Sequence, residues 1–177
     1  MAIQYVKSAL AESIIPVIDK PIKSGVSQNI GDLVYINGNE IDAVTLASSL
    51  VTTTVTNLGV SEGNNFEGLG VTPKVGKLRV SGNAIYKAPY GAVGAAGGFT
   101  AFEGTDEQWK ALVGTTKAIG KNILDDAGVT ATPPTGNYAR GFVVDSAGAV
   151  KLVKITDVDK KDGVVYFQFL PSTLYTS

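Results

Sequence analysis

The last third of the chain narrows the possible folds most. Residues 139–144, 149–155 and 164–170 are short runs rich in valine, isoleucine and phenylalanine, separated by Asp145 to Gly148 and by Lys160-Lys161-Asp162-Gly163. Runs of that length bounded by Gly/Asp turns read as antiparallel strands, and three in succession predict a meander with short turns. The same signature occurs earlier. Residues 33–36 and 41–46 flank Asn37-Gly38, a pair that favours the positive φ angles of a type I′ turn and so predicts a hairpin. Residues 49–56, rich in valine and threonine, read as a further strand. In residues 75–80, Lys77 and Arg79 fall on one face and Leu78 and Val80 on the other, the alternation of a half-buried strand. Gly82-Asn83 turns the chain into Ala84-Ile85-Tyr86, and residues 99–102 form another short strand. The glycine-rich segments 57–73 and 91–98 read as loops, the second a pliant Gly/Ala connection.

One helix stands out. Thr105-Asp106-Glu107-Gln108 matches a capping box, in which the threonine side chain accepts from the third helical N–H and the glutamine reaches back. Asp106 and Glu107 also sit at the positive end of the helix dipole. Trp109, Leu112 and Val113 share one face, so Thr105, Gln108, Trp109, Leu112 and Val113 are the expected docking residues of a short helix that Gly114 ends. At the other end of the chain, Ile14-Ile15-Pro16-Val17-Ile18 is an apolar run interrupted by proline. Proline donates no N–H, so residues 1–23 suit an extended arm or an edge strand, two readings left open. The expected architecture is mainly β: a compact antiparallel β-barrel or sandwich, with one short helix near 105–113 and an extended N-terminal segment. Residues 24–177 form one domain carrying a helical insertion near 104–124.

Composition removes whole classes of chemistry. The 177 residues contain neither cysteine nor histidine. Disulfides, thiolate nucleophiles and Cys-type zinc sites are excluded, and the commonest acid–base and metal-binding side chain is missing. The formal net charge of −1 gives no global field for nucleic acid or an anionic membrane, and the two arginines, Arg79 and Arg140, are far apart in sequence. No stretch approaches the ~20 apolar residues that span a bilayer, and residues 1–20 do not form a convincing signal peptide, so synthesis is expected in the cytoplasm.

The remaining motifs fail on their own terms. Gly120-Lys121 lacks the Ser/Thr of a phosphate loop, having Asn122 instead. Asp157, Asp159 and Asp162 cluster near a turn, but Lys161 interrupts the calcium-loop pattern and no distal glutamate follows, so a solvated hairpin turn is expected. No serine has a lysine three residues on, as a serine–lysine enzyme would. Tyr86, Tyr90 and Trp109 are the candidates for a sugar-stacking platform, against the commoner fate of core packing. No catalytic, cofactor-binding or metal-binding residue is assigned, and the expectation is a non-enzyme.

The layout resembles the head-decoration (cement) proteins of tailed bacteriophages. The resemblance rests on Gly31-Asp32-Leu33-Val34-Tyr35 with its hairpin, on Gly82-Asn83-Ala84-Ile85-Tyr86 before a Gly/Ala-rich stretch, on Ala118-Ile119-Gly120-Lys121-Asn122-Ile123-Leu124, and on Ala139-Arg140-Gly141-Phe142-Val143-Val144 with the terminal strands. It implies a β-tulip-like structural protein on the capsid exterior of a virion, stabilising contacts between major capsid protein subunits. It also implies self-association, a trimer as in many members, with no cofactor, nucleic acid or membrane partner. Within that reading Ile14, Ile15, Val17 and Ile18 are expected at the capsid or inter-subunit contact. The alternatives are a tail or tail-tube subunit, which would form rings or tubes by itself, and a carbohydrate-binding adhesion module.

Overall fold

A computed structural model describes residues 3–9, 17–24, 26, 30–44, 57–65, 75–94, 98–122 and 141–176. Twelve strands are present among them: β1 (Gln4–Ser8), β2 (Val17–Pro21), β3 (Leu33–Asn37), β4 (Glu40–Ala43), β5 (Leu58–Asn65), β6 (Val75–Arg79), β7 (Ala84–Val93), β8 (Phe99–Ala101), β9 (Thr116–Asn122), β10 (Gly141–Asp145), β11 (Val153–Asp159) and β12 (Val164–Phe169). The helix α1 spans Asp106–Lys110, and a 3-10 turn, Pro171–Thr173, follows β12. The fold is mainly β, as expected.

Five strands close into a barrel in the order β7-β10-β9-β11-β12, with β12 returning to β7. β1 and β8 are added along β7, pairing with residues 84–87 and 91–93 respectively. The long strand β7 therefore organises everything around it. Ala84, Tyr86, Ala88 and Tyr90 alternate into the interior, each at most 2% exposed, against Val165, Phe167 and Phe169 of β12. Tyr86 lies 5.9 Å from Phe167 and 5.4 Å from Phe169, ring centre to ring centre. Such aromatic pairs add to the burial of their area.

Two expectations are corrected here. The β11–β12 hairpin forms, with Val153 opposite Phe169. β10, however, does not pair with β11, so there is no three-stranded meander. β9 lies between them, pairing Ala118 to Asn122 with β10 and Thr116-Lys117 with β11. The short helix expected near 105–113 spans Asp106–Lys110, and the remainder of the insertion expected near 104–124 is no appendage, because Thr116–Asn122 is this barrel strand. Ala118, Ile119 and Gly120 are all buried: Ile119 joins the main core opposite Val144, and Ala118 and Gly120 lie on the strand's other face, opposite Asp145 and Val143. Residues 123 and 124, and the strand expected at 49–56, lie outside the described residues.

The second sheet runs β2-β6-β5-β3-β4, antiparallel throughout. Just past β2, Ile22 bridges Ile41 of β4, and the Lys23 N–H donates to the Ile41 carbonyl, which draws the two ends of this sheet together. The 33–43 hairpin is present, but its turn is centred on Gly38-Asn39, with Asn37 opposite Glu40. Positive φ occurs at Gly38 (63°) and not at Asn39, the type II′ pattern rather than type I′. Leu33, Val44, Leu58 and Val60 join the barrel residues in one hydrophobic core. Ile22, Val34, Ile36, Ile41 and Leu78 form a smaller one on the sheet's other side.

Residues 91–98 were expected to be a pliant loop. Gly91 to Val93 instead end β7, and Gly91 is fixed by close approach: a β-carbon there would run into the Thr100 carbonyl oxygen and lie 2.8 Å from the Phe99 ring. Residues 95–97 lie outside the described residues.

Candidate interaction surface

The N-terminal strands lie at sheet edges. Among the described residues β1 pairs with β7 alone and β2 with β6, apart from the Ile22 bridge. Four of the five residues of β1 are exposed, including Tyr5 (37%) and Val6 (39%); Val17 on β2 is 40% exposed. The two strands meet through Arg79 of β6, which stands opposite Val17 and holds its guanidinium 3.9 Å from the Tyr5 ring centre. Glu62 accepts a 2.8 Å bond from the Arg79 Nε and fixes it there. Tyr5 and Val17 thus flank a largely buried Arg79 where the two sheets meet, with a cation–π contact at the centre, and exposed Val6 follows Tyr5 at the register shift of β1. Of the residues expected at a contact, Val17 lies at this seam. Ile18 points the other way, half-buried against the smaller core. Ile14 and Ile15 lie outside the described residues.

Behind the seam is an unbalanced polar group. Tyr86 stands opposite Tyr5 in register and is fully buried, and its hydroxyl has no hydrogen-bond partner among the described residues. Burial pushes its pKa well above the ordinary tyrosine range, so it stays protonated.

The outer wall of the barrel has a different character. Side chains opposite one another across a sheet share a face. Gln4, Lys87, Tyr166 and Asp157 make one row across β1, β7, β12 and β11. The next row holds Lys7 opposite Ile85, and Gln168 opposite Lys154. Lys7 and Lys154 are exposed and Lys87 half-exposed, so three ammonium groups surround half-buried Ile85 and Tyr166.

Around α1 the sign reverses. The capping box is formed: the Gln108 N–H donates to the Thr105 hydroxyl at 3.3 Å, and the Thr105 N–H to the Gln108 side chain at 2.8 Å. Trp109 and Leu112 dock as expected, 2% and 8% exposed, with Trp109 against Phe102 and Tyr90. Val113, expected on the same face, is instead 46% exposed, because the helix ends at Lys110 and the chain turns before reaching it. Glu103, Asp106, Glu107 and Lys160 edge an open cleft of about 780 Å³ floored by Phe102 and Trp109. Lys160 donates to Asp106 at 2.5 Å and, by that bond and its charge, holds the carboxyl below the usual range. Asp159 accepts the Asp162 N–H at 3.2 Å, so the acidic cluster of this region builds the hairpin turn.

Tyr86, Tyr90 and Trp109, the residues of the expected sugar platform, are each at most 2% exposed and cannot stack on a ligand from solvent. Sequence reasoning passed over two buried carboxylates. Asp145 accepts the backbone N–H groups of Val93 (2.7 Å), Ala147 (2.7 Å) and Gly148 (2.6 Å) and is fully buried. Its signal was legible: an aspartate two and three residues before Ala-Gly is an Asx-type turn former. Asp42 gathers Lys23 (2.6 Å), Tyr35 (3.2 Å) and Asn37 (3.3 Å); only register, which places Tyr35 opposite it, brings that set together.

Comparison with protein-family models, with curated proteins and with solved structures finds no match to this chain.

Proposed function

We propose that this chain is a non-catalytic structural protein of a tailed-phage particle. In this reading it binds the capsid exterior and stabilises contacts between major capsid protein subunits, after synthesis in the host cytoplasm. The sequence layout supports it, and one structural observation carries it to particular residues. The two N-terminal strands present Tyr5, Val6 and Val17 to solvent at the seam of two sheets, around a fixed arginine. An aromatic and an arginine beside aliphatic groups have the composition of an interface anchor. The barrel behind them is a rigid support, so little ordering cost is added on binding.

Deleting residues 1–20 is a poor test, because it removes β1 and most of β2 from their sheets. A surface variant carrying Tyr5→Ser, Val6→Lys and Val17→Lys leaves both pairings possible. The measurement is occupancy on decoration-free capsids of the parent virus, by co-sedimentation and electron microscopy. We expect binding to fall by about tenfold or more, since a buried aromatic or aliphatic anchor is worth 1–3 kcal/mol. Undiminished occupancy by the folded variant refutes this seam as the contact, and absence of binding by the unaltered protein refutes the decoration reading itself.

A further inference from the structure

We infer that the turn of the β3–β4 hairpin is a self-modification site, where Asn37 loses its side-chain amide to water and becomes a second carboxylate beside Asp42. This goes beyond capsid binding and uses none of Tyr5, Val6 and Val17. Asn37-Gly38 is the single Asn-Gly pair in the chain. Glycine has no β-carbon to shield its own nitrogen. Asn37 and Gly38 are both exposed, and a β-carbon at Gly38 would meet nothing within 4 Å, so there is room for a ring to close. Gly38 lies in the turn, outside the β3–β4 ladder, and its N–H has no hydrogen-bond acceptor among the described residues. The Asp162-Gly163 pair differs in this respect, because the Gly163 N–H donates to the Lys160 carbonyl at 3.2 Å.

The Gly38 nitrogen gives its proton to a solvent base and attacks Cγ of Asn37. The new N–Cγ bond closes a cyclic imide, the Cγ–Nδ2 bond breaks, and Nδ2 leaves as ammonia after taking a proton from solvent. Water then opens the imide. Addition at Cγ gives aspartate, and addition at the Asn37 main-chain carbonyl gives isoaspartate, with the chain running through Cγ. By either route one water is consumed, one ammonia is released and one carboxylate is gained. The fold makes that charge matter. Asn37 Nδ2 donates to Asp42 Oδ2 at 3.3 Å, the oxygen that also accepts from Lys23 and Tyr35. A carboxylate at position 37 has no proton to donate, so an attraction becomes a like-charge contact, and Lys23 then faces two carboxylates. Lys23 and Asp42 lie where the ends of the second sheet draw together, so the change loosens that closure. The isoaspartyl form also adds one backbone atom at the turn, against the register that sets Asn37 opposite Glu40.

The test incubates the intact folded protein for weeks at body temperature in mildly alkaline buffer, beside the same chain in denaturant. Both are mapped by peptide mass spectrometry with isoaspartyl methyltransferase labelling. In the folded protein, conversion at position 37 is expected to run roughly tenfold ahead of Asn39, Asn57 and Asn83, each followed by a residue with a β-carbon. Asn37→Gln, whose longer side chain would have to close a larger ring, is expected to leave the site unmodified. An intact residue 37 in the folded protein overturns the inference, and reaction of the unfolded chain alone would then show that the hairpin shields it. Conversion no faster at position 37 than at the other three asparagines overturns it as well. Asn37→Asp tests the consequence. Its unfolding midpoint at neutral pH is expected to fall, and to fall less when Asp42→Asn is also present. Equal falls in the two backgrounds overturn the charge contact with Asp42. Capsid occupancy of the Tyr5/Val6/Val17 variant is read separately, so failure of one proposal leaves the other standing.

Discussion

Among the described residues the barrel and the second sheet each bury one carboxylate, and they satisfy it in different ways. Asp145, at the end of β10, is fully buried and takes all three of its bonds from backbone N–H groups. One comes from β7 and two from the turn that follows, so the carboxylate ties two barrel strands to the crossing over β9. Asp42, on β4, is 8% exposed and takes its bonds from the side chains of Lys23, Tyr35 and Asn37. The Lys23 side chain is 47% exposed. Backbone donors cannot leave or change charge when their acceptor is removed, whereas an exposed lysine turns to water. Burial alone therefore says little about what a carboxylate contributes; the mobility of its partners decides.

The largest effect is expected at Asp145. Replacing it by alanine leaves the N–H groups of Val93 and Gly148 buried without an acceptor, at a cost of about 3–5 kcal/mol, measured by denaturant unfolding. Asp145→Asn separates the two halves of the site. One oxygen serves Val93 and the other serves Ala147 and Gly148, so an amide keeps one set and turns a donor towards the other. A loss for Asp145→Ala no larger than for Asp42→Ala would break the contrast between backbone and side-chain partners.

Glycine substitutions sharpen the same comparison at lower cost. At Gly91 a methyl group meets a backbone carbonyl and the Phe99 ring, neither of which can yield without opening the β7–β8 pairing. Gly91→Ala should cost about 1–3 kcal/mol. At Gly59, in the second sheet, the nearest atom is a Val80 methyl at 3.1 Å, and a half-exposed side chain can shift. Gly59→Ala is expected to cost less than Gly91→Ala in the same unfolding series, and the reverse order counts against close backbone approach as the reason for glycine in β7.

How much could be read from the sequence follows a similar division. Alternation is local, so Val75–Arg79, the β11–β12 hairpin and the capped helix were legible residue by residue. Partner choice is not local. Thr116–Asn122, with two lysines, a glycine and an asparagine, has poor strand composition. It is nevertheless the strand between β10 and β11, because its register sets Ile119 opposite Val144 in the main core and Lys117 opposite Val153. The strand read from Ala84 stops at Tyr86, because residues such as Pro89 and Gly91 are poor strand formers. Pairing on both sides overrides them, with Pro89 opposite Val164 and Gly91 opposite Ala101. The candidate surface was legible at Val17 alone. Tyr5, Lys7 and Lys87 become neighbours only through register, and a register shift at Val6 decides which of them face outward.

Tyr86 offers a change in the opposite direction. Its ring packs as part of the barrel core, but its hydroxyl is buried without a partner among the described residues. Phenylalanine keeps the ring and removes the unmet polar atom, so Tyr86→Phe should stabilise by about 1 kcal/mol. A destabilised variant would mean that a buried water satisfies the hydroxyl and that the Arg79–Tyr5 seam is better balanced than its direct contacts suggest.

The smallest effect expected is the most diagnostic of the second sheet. Burial alone would raise the Asp42 carboxyl, but bonds from Lys23, Asn37 and Tyr35 and the lysine charge outweigh it and hold the group below its ordinary 3.8. The same contact raises Lys23. A carboxyl with a depressed folded value binds protons more weakly folded than unfolded, so its stabilising contribution is fully present above its unfolded value, about pH 4, and is lost as pH falls through the lower folded value. Asp42→Asn, which removes the charge at every pH, should therefore be less stable than the unaltered protein at neutral pH, and the two unfolding midpoints should converge in acid. Because Lys23 is half in solvent, the neutral-pH gap should also narrow in high salt. The gap caused by Asp145→Ala, where every partner is a backbone amide, should persist in salt. If salt closed both gaps equally, the distinction between the two carboxylates would rest on burial after all.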